Sequence, residues 1–293
     1  MHKKTVYTHA TIGTLFVLLA VSLYYHYLFY TTPEDTVTQT ELETGPFLKE
    51  EEAVVIEIDD TEEKILPVEM VLFEYVEVRE SCDVHFEGEC VRIRSGPGLD
   101  FPIVTHIRND VVLRVGGQVK NDNITWYKII FDEDLRYPER VLTDWYIASD
   151  YVGVLYDEGA KELSRDVSST SKRIIVDISE QKLYAYEGET LFMDISISTG
   201  LEISPTPKGT FTIFRKTPSR YMQGPLPGHT DVYDLPGVPW NLYFTHEGAV
   251  IHGAYWHRSF GMPYSHGCVN LPPKVARDLY YWADLGVKVT VRN

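Results

Sequence analysis

Hydrophobic and polar positions divide the chain into an apolar N-terminal run, a polar stretch and a long region of short alternating segments. Residues 10–30 carry no charged side chain. Beyond residue 70, short apolar runs are separated by glycine, proline, asparagine and serine. Short runs bounded by turn residues predict β-strands rather than helices. The pattern therefore predicts a mainly β protein that follows one N-terminal helix.

The apolar run at residues 10–30 predicts a transmembrane anchor. A helix of these 21 residues rises about 1.5 Å per residue and spans roughly 30 Å, the thickness of a hydrocarbon core. Lys3 and Lys4 precede the run and the next basic residue is Lys49, so the positive-inside rule makes residues 1–9 a cytoplasmic head. A cleaved signal peptide is the alternative, although no A-x-A-like site follows the run. Both interpretations place the rest of the chain outside the cytoplasm.

Acidic residues are concentrated between the predicted anchor and the first β region. The formal net charge of −16 argues against a nucleic-acid-binding protein, because such proteins neutralise phosphates with Lys and Arg. Residues 31–69 carry 13 acidic side chains and two basic ones, whereas residues 173–293 carry 11 of each. Like charges extend such a segment, so residues 31–69 are predicted to be a solvated acidic linker. A short strand at residues 53–58 is compatible with the same pattern.

Residues 70–153 have the pattern of a small β-barrel. Short strands are predicted at residues 70–78, 90–94, 111–115, 126–131 and 144–147. Turn signals separate them at residues 95–98, 116–117 and 121–123. Several short strands at this spacing are typical of small barrels. A polar connector at residues 154–171 follows this region.

Residues 172–293 are predicted to form a second β domain with one helix near its end. A hairpin is predicted at residues 172–178 and 181–186, and further strands at residues 191–198, 209–215 and 287–291. Two prolines at residues 272–273 can begin a helix, because the first helical turn needs no backbone N–H. Its predicted apolar face consists of Val275, Leu279 and Trp282.

The densest group of reactive side chains lies between His252 and Cys268, where three histidines and one cysteine fall within seventeen residues. A thiol needs a nearby base to react near neutral pH. Gly267, directly before the cysteine, lets a substrate carbonyl approach the backbone, whose N–H groups can stabilise an oxyanion. These features predict cysteine acyl transfer. Zinc binding by His252, His257, His266 and Cys268 is the alternative, but their spacing lacks the paired pattern of structural zinc sites.

The motif Ser265-His-Gly-Cys-Val-Asn270, with His252 sixteen residues before the cysteine, resembles the active-site signature of the L,D-transpeptidase (YkuD-type) family. Two further segments, residues 204–212 and 237–244, are similar to that family as well. The resemblance covers residues 172–293. It implies an L,D-transpeptidase-type β-sandwich with a C-terminal helix.

The resemblance also implies roles for individual residues. Cys268 matches the nucleophile, His252 the general base, and Gly253 the position whose carbonyl orients the imidazole. Four residues match the turn that shapes the oxyanion hole, namely Ser265, His266, Gly267 and Asn270. Weaker candidates for the substrate cleft are Trp256, Tyr243 and Tyr233. No metal or cofactor is expected.

The region at residues 70–153 resembles the bacterial SH3-like domain. The similar elements are residues 91–98, 126–129 and 144–152, with a longer insertion than usual at residues 132–141. Modules of that family commonly bind or orient cell-wall material. A spacer barrel without a ligand is the alternative.

Together, the two resemblances imply a bacterial cell-wall L,D-transpeptidase, held at the cytoplasmic membrane by a single N-terminal helix with its C-terminal domains outside. The implied substrate is the tetrapeptide stem of peptidoglycan, from which cross-linking releases D-alanine, and carbapenems are implied to acylate the cysteine. An L,D-carboxypeptidase with water as acceptor and a wall-binding scaffold with an inactive domain remain alternatives. NlpC/P60 endopeptidases place the cysteine before the histidine, and sortases space the two farther apart, so both classes are disfavoured.

Cys82 and Cys90 lie apart from this motif, in a segment predicted to be extracytoplasmic. Because oxidising compartments favour disulfides, we predict that these two residues pair and leave Cys268 as a free thiol. Two reduced thiols are the alternative.

Overall fold

The computed structural model describes residues 66–84, 87–131, 135–156, 171–226 and 230–293. These ranges belong to one compact unit that comprises residues 62–293. The predicted head, anchor and nearly all of the predicted linker lie outside the described residues. Within the described ranges, no helix is long and apolar enough to cross a membrane. The mainly β architecture predicted from the pattern is confirmed.

An N-terminal antiparallel sheet of seven strands occupies the region of the predicted barrel. Its strands are β1 (Tyr75–Val78), β2 (Val91–Arg94), β3 (Ile103–Ile107), β4 (Val112–Asn121), β5 (Ile124–Ile130), β6 (Trp145–Ala148) and β7 (Val152–Leu155). Their order is β3-β2-β6-β5-β4-β1-β7. The five predicted strands are confirmed, while β3 and β7, the two edges, are additional. We call this part of the chain, residues 66–156, the N-terminal β unit.

The turns of the N-terminal β unit follow the sequence signals in one place and depart from them in another. Asp122 and Asn123 both have positive φ, 51° and 64°, which is the geometry of a tight hairpin turn between β4 and β5. The predicted turn at residues 116–117 is wrong, because β4 continues through it. The register against β5 shifts between Val115 and Gly117, so these glycines form a bulge inside a long strand.

The predicted disulfide is present in this unit. Cys82 and Cys90 are joined, with their Cα atoms 4.4 Å apart. Cys82 is completely buried, and Cys268 is a free cysteine. Closing so short a loop contributes about 2–3 kcal/mol on the chain-entropy model.

Two sheets and one helix form the C-terminal domain. The first sheet, in the order β10-β9-β8-β16-β11, contains β8 (Lys172–Asp177), β9 (Lys182–Glu187), β10 (Thr190–Ser196), β11 (Gly209–Thr212) and β16 (Lys288–Arg292). The second sheet, in the order β12-β13-β14-β15, contains β12 (Arg215–Pro225), β13 (Val232–Tyr243), β14 (Val250–Gly253) and β15 (Val269–Leu271). Helix α1 (Pro273–Trp282) follows β15 directly. The predicted hairpin of β8 and β9 is confirmed.

The helix begins where the two prolines predict it, but its buried face differs from the prediction. Ala276, Leu279 and Tyr280 are buried, whereas Val275 and Trp282 are only half-buried. Ala276 is small and permits close packing of the helix, which a pattern of large apolar residues does not indicate. Trp282 instead stacks on a residue of β10, Phe192, with ring centroids 4.8 Å apart.

The long hairpin of β12 and β13 belongs to both halves of the structure. Near its base, Trp240 and Leu242 pack in the core of the C-terminal domain. Farther along, Met222 and Val238 pack in the core of the N-terminal β unit, together with Tyr255. The hairpin therefore contributes to two hydrophobic cores, and we call these two cores together the shared interior.

Polar contacts reinforce this shared interior. The Ser219 hydroxyl on β12 donates to the Val112 carbonyl on β4 at 2.6 Å. Gly237 on β13 has a positive φ of 63°, and a Cβ there would lie 2.5 Å from the Val112 carbonyl oxygen. Arg277 of α1 lies 3.5 Å from the buried carboxylate of Glu77 on β1. The orientation of the two halves is thus fixed by close backbone approach as well as by side chains.

Candidate active site

The two residues central to the sequence motif lie on neighbouring parallel strands. His252 is on β14, and Cys268 immediately precedes β15. The register pairs Ile251 with Val269 and His252 with Asn270. A parallel pair requires a crossover connection, here residues 254–268, which carries the rest of the motif. Backbone pairing therefore fixes the histidine relative to the cysteine.

His252 is held in one orientation in a nearly dry environment. Its side chain and backbone are 1% exposed. Nδ1 lies 3.1 Å from the Gly253 carbonyl oxygen, which can only accept, so Nδ1 carries the hydrogen and Nε2 keeps its lone pair. Burial, with a smaller contribution from the Arg220 charge, lowers the pKa of His252 to about 4. The imidazole is therefore neutral, with a basic nitrogen available, near pH 7.

Cys268 is half-buried, and its sulfur lies 3.9 Å from the Gly248 carbonyl oxygen. Burial raises the pKa of the thiol. A hydrogen bond with the Val250 backbone and the positive charge of Arg220 oppose that increase. At neutral pH the pair therefore consists of a thiol and a neutral imidazole rather than a thiolate and an imidazolium.

The turn before Cys268 is shaped by one hydroxyl. Ser265 Oγ donates to the Cys268 carbonyl at 2.5 Å and accepts a hydrogen bond from the Gly267 N–H at 3.2 Å. Gly267 has a φ of 112°, a conformation that other residues rarely adopt. This explains why serine and glycine occupy these two positions of the motif.

A second loop, residues 197–207 after β10, supports the turn from outside. Ser204 Oγ donates to the His266 carbonyl at 3.1 Å. Thr206, buried to 2% exposure, accepts from the Gly200 N–H at 2.8 Å and donates to the Cys268 carbonyl at 3.5 Å. The segment at residues 204–212, identified in the sequence only as similar to the family, thus packs directly against the cysteine turn.

His257 belongs to the site although the sequence analysis assigned it no catalytic role. The Ser259 N–H donates to its Nδ1 at 3.1 Å, so the neutral ring carries its hydrogen on Nε2. Nε2 lies 2.9 Å from the Asn270 amide. The atom of Asn270 at this distance is Nδ2, and its buried Oδ1 has no hydrogen-bond partner. Because Nε2–H needs an acceptor, we infer that the amide is turned so that its oxygen faces His257. Burial lowers the pKa of His257 to about 4, which keeps this neutral arrangement at physiological pH.

Replacing His257 with phenylalanine tests this hydrogen-bonded link. The ring still fills the space, but the Ser259 N–H and the Asn270 amide lose their partner, and the free energy of unfolding is expected to fall by about 2 kcal/mol. Urea unfolding of the full-length protein in detergent measures the change.

His246→Phe is the matched control. That residue is exposed and stacks on Phe214 with ring centroids 4.2 Å apart, so the expected change is within about 0.5 kcal/mol. Equal effects of the two substitutions would contradict a structural role for the His257 hydrogen bonds.

A cavity of about 760 Å³ opens beside the cysteine. It is lined by eight of the residues predicted from the sequence, namely Cys268, His252, Ser265, His266, Gly267, Asn270, Trp256 and Tyr233. Tyr233 stacks parallel to His266, with ring centroids 6.1 Å apart. The ring centroids of Trp256 and His252 are 5.6 Å apart. The structure thus brings these predicted residues to one cavity.

Two predicted residues take other positions. Gly253 contributes its carbonyl to His252 but does not line the cavity. Tyr243 is buried at the end of β13, outside the cavity lining, with the guanidinium of Arg220 5.5 Å from its ring. Tyr243 therefore contacts a cavity residue and does not itself line the cavity.

The zinc alternative would need His252, His257, His266 and Cys268 to converge on one ion. Throughout the described part of the chain, no group of three or more His, Cys, Asp or Glu side chains is placed to hold a metal ion. His257 uses both ring nitrogens in hydrogen bonds within the protein, so neither is available to a metal ion.

Two arginines that the sequence did not single out line the cavity. Arg220 comes from β12 and Arg136 from the long insertion at residues 132–141 of the N-terminal β unit. The insertion was visible in the sequence, but its destination depends on contacts with residues more than 80 positions away. The signal available in the sequence for Arg136 was its position, as a basic residue, within an unusually long insertion.

A free thiol at a cavity, beside an oriented neutral imidazole and a glycine turn, defines a candidate cysteine–histidine catalytic site. Residues 171–291 match the family model YkuD, described as the L,D-transpeptidase catalytic domain. The C-terminal domain therefore matches the family of L,D-transpeptidase catalytic domains, as its motif predicts. The SH3-like assignment of the N-terminal β unit stays a prediction.

Several solved structures are similar to this chain. The L,D-transpeptidase of Enterococcus faecium is 26% identical, over 41% of this chain and 49% of its own, with a TM-score of 0.38. An L,D-transpeptidase from Mycobacterium smegmatis is 21% identical, over 58% and 91%, with a TM-score of 0.40. L,D-transpeptidase 3 from Mycobacterium tuberculosis, solved with a faropenem-derived adduct, is 17% identical, over 58% and 91%, with a TM-score of 0.39.

The chain spans about half the length of the Enterococcus faecium structure that it matches. A search of curated proteins found no match.

Proposed function

We propose that this protein is a cell-wall L,D-transpeptidase that cross-links peptidoglycan by cysteine acyl transfer on tetrapeptide stems. The observation that carries the proposal is the position of Cys268 at the cavity, next to the strand that holds His252 with its Nε2 lone pair available. The family match of residues 171–291 supports the same conclusion.

In the first step, the Cys268 sulfur attacks the carbonyl between the third residue of the stem and its terminal D-alanine. His252 Nε2 takes the thiol proton as the bond to sulfur forms, because the raised pKa of the thiol makes a free thiolate scarce at pH 7. The resulting imidazolium then donates its proton to the departing amine. D-Alanine leaves, and the stem remains as a thioester.

In the second step, an amine of a neighbouring stem attacks the thioester. His252 accepts a proton from the attacking amine and returns one to the sulfur, which restores the neutral pair. Water in place of the amine gives a shortened stem, which is L,D-carboxypeptidase activity. The partly open cavity gives either acceptor a route to the thioester.

The negative oxygen that develops in both steps needs N–H donors. We propose the backbone N–H groups of His266 and Cys268 for this role, since that of Gly267 donates to Ser265 Oγ. Ser265, Ser204 and Thr206 bind the carbonyls of the same turn and so orient its N–H groups. Asn270 is hydrogen-bonded to His257, and this bond fixes the position of β15 next to the turn.

The pKa of His252 predicts the pH dependence of acylation. Because burial lowers that pKa to about 4, the base is already neutral above this value. We expect kcat/KM for acylation to rise with a midpoint near pH 4 and then to stay level through pH 7. Rates of adduct formation with imipenem, followed by intact mass between pH 3.5 and 8, measure the profile. A midpoint between pH 6 and 7 would indicate a thiolate–imidazolium pair instead.

We propose that residues 10–30 form a helix that anchors the protein in the cytoplasmic membrane, with the catalytic domain outside. The absence of charge in that run and the two lysines before it support this location. The acidic segment before the N-terminal β unit, residues 31–65, then acts as a solvated arm, whereas Glu69 pairs with Gln118 in that unit. We also propose that the N-terminal β unit is an SH3-like domain and that it orients cell-wall material relative to the cavity.

The test of the proposed function is product analysis with the full-length protein in detergent. A synthetic tetrapeptide stem is incubated with and without an acceptor stem that carries a free side-chain amine, and the products are weighed. Loss of one D-alanine with formation of a joined product is the expected result. Loss of D-alanine alone would favour the carboxypeptidase, and no product together with no imipenem adduct would favour an inactive scaffold.

A further inference from the structure

The long insertion of the N-terminal β unit forms part of the wall of the catalytic cavity. Arg136 lies in this insertion and lines the cavity. Every other described lining residue lies between residues 201 and 270, in the C-terminal domain. The cavity is therefore completed by a residue from outside the family domain.

Hydrogen bonds from Tyr137 and Arg140 fix the described part of the insertion, residues 135–141, at this place. The Tyr137 N–H donates to Gln223 Oε1 at 3.0 Å, and Gln223 Nε2 donates to Asp234 Oδ1 at 3.0 Å. The Arg140 guanidinium donates to the other oxygen of Asp234 at 2.6 Å. Gln223 is 6% exposed, so this anchor is largely shielded from water. Arg136, one residue before Tyr137, is exposed at the cavity, and its guanidinium carbon lies 5.8 Å from the centroid of the Tyr137 ring.

The cavity lining is biased toward positive charge. Arg136 and Arg220 line it, against a single described acidic residue, Glu247. The complete chain, in contrast, has a net charge of −16, which repels anionic peptides at long range. Burial, with a smaller contribution from Cys268, raises the pKa of the half-buried Tyr233, and the charges of Arg220 and Arg136 oppose that increase.

We propose that Arg136 is a specificity-determining residue that binds the internal α-carboxylate of the stem peptide whose acyl group Cys268 transfers. A guanidinium presents a planar pair of N–H donors that match a carboxylate, and it stays charged at all physiological pH values. This inference rests on the proposed function, because it names a chemical group of that substrate. Arg136 contributes to binding, and the acyl-transfer chemistry stays with Cys268 and His252.

Two matched substrates test the assignment with the full-length protein. One is a tetrapeptide stem with its internal α-carboxylate free, and the other is the same peptide with that group amidated. For Arg136→Gln we expect about a tenfold increase in KM for the free carboxylate, with a much smaller effect on kcat. The amidated peptide is expected to bind the wild type about tenfold more weakly, with little further loss in the variant. Arg136→Lys is expected to restore part of the affinity.

Lys120→Gln is the matched control, because it removes the same charge from an exposed position on β4 outside the cavity lining. It is expected to leave KM for both peptides unchanged. An equal loss with both peptides, or no loss with either, would overturn the role of Arg136 while D-alanine release still supported the proposed function. Absence of D-alanine release by the wild type from both peptides would overturn the proposed function and this assignment together.

Discussion

Replacing Cys268 with alanine is expected to reduce D-alanine release and cross-link formation by roughly 10⁴-fold or more, because no other group in the cavity can form the thioester. The described residues contain this one free cysteine, and it lies at the cavity wall. The measurement is the rate of D-alanine release by the full-length protein, together with the intact mass after exposure to imipenem. The variant is expected to show no adduct.

His252→Gln provides the companion measurement. Removing the base is expected to slow turnover by roughly 10²–10⁴-fold while leaving a slow imipenem adduct, because the thiol is still present. The double variant is expected to be no slower than Cys268→Ala, since the two residues act in the same step. Unchanged urea unfolding would show that these losses are chemical. Substantial turnover by Cys268→Ala would contradict the cysteine mechanism.

Gly237→Ala is expected to lower the free energy of unfolding by about 3–4 kcal/mol, the largest effect on stability that we predict. The residue has a φ of 63°, and its new Cβ would lie 2.4 Å from a Val111 methyl and 2.5 Å from the Val112 carbonyl oxygen. Because one of these neighbours is backbone, relief requires β13 to separate from β4. Urea unfolding of the full-length protein measures the loss.

Gly188→Ala separates this contact from backbone strain. Gly188 has nearly the same φ, 59°, but a Cβ there would meet no atom within 4 Å. Its cost is expected to be about 1 kcal/mol, from the left-handed conformation alone. The excess at Gly237 then measures the close approach of the two halves. Equal losses would contradict that approach as a source of stability.

Local patterns were sufficient for those elements whose burial alternates clearly. The hairpin of β8 and β9 was predictable because Ile174 and Val176 face the core opposite Leu183 and Ala185. The sequence pattern does not predict β3, because four of its five residues are exposed or half-buried and the strand lacks a regular alternation of buried and exposed positions. The bulge at residues 116–117 was mistaken for a turn, since glycine pairs mark both features. Such ambiguity is resolved only by the partner strand.

The residues of the candidate site also fall into those that the sequence predicts and those that it does not. Residues 265–270 are contiguous, and their chemistry was visible in the sequence. Arg136, Arg220 and His257 were not assigned, because each acquires its position from contacts between distant segments. The Tyr137 contact with Gln223, for example, joins residues 86 positions apart. A single sequence contains no signal for such a pairing when neither residue belongs to a recognised motif.

The shared interior has a consequence for how this catalytic domain could be exchanged between proteins. Residues 171–293 on their own would expose Met222, Val238 and Tyr255, which now pack against the N-terminal β unit. They would also lack Arg136 at the cavity. Transplanting the domain onto an unrelated carrier would therefore transfer the thiol and the imidazole but not a soluble surface or a complete cavity wall. The unit that can be recombined is the pair of halves.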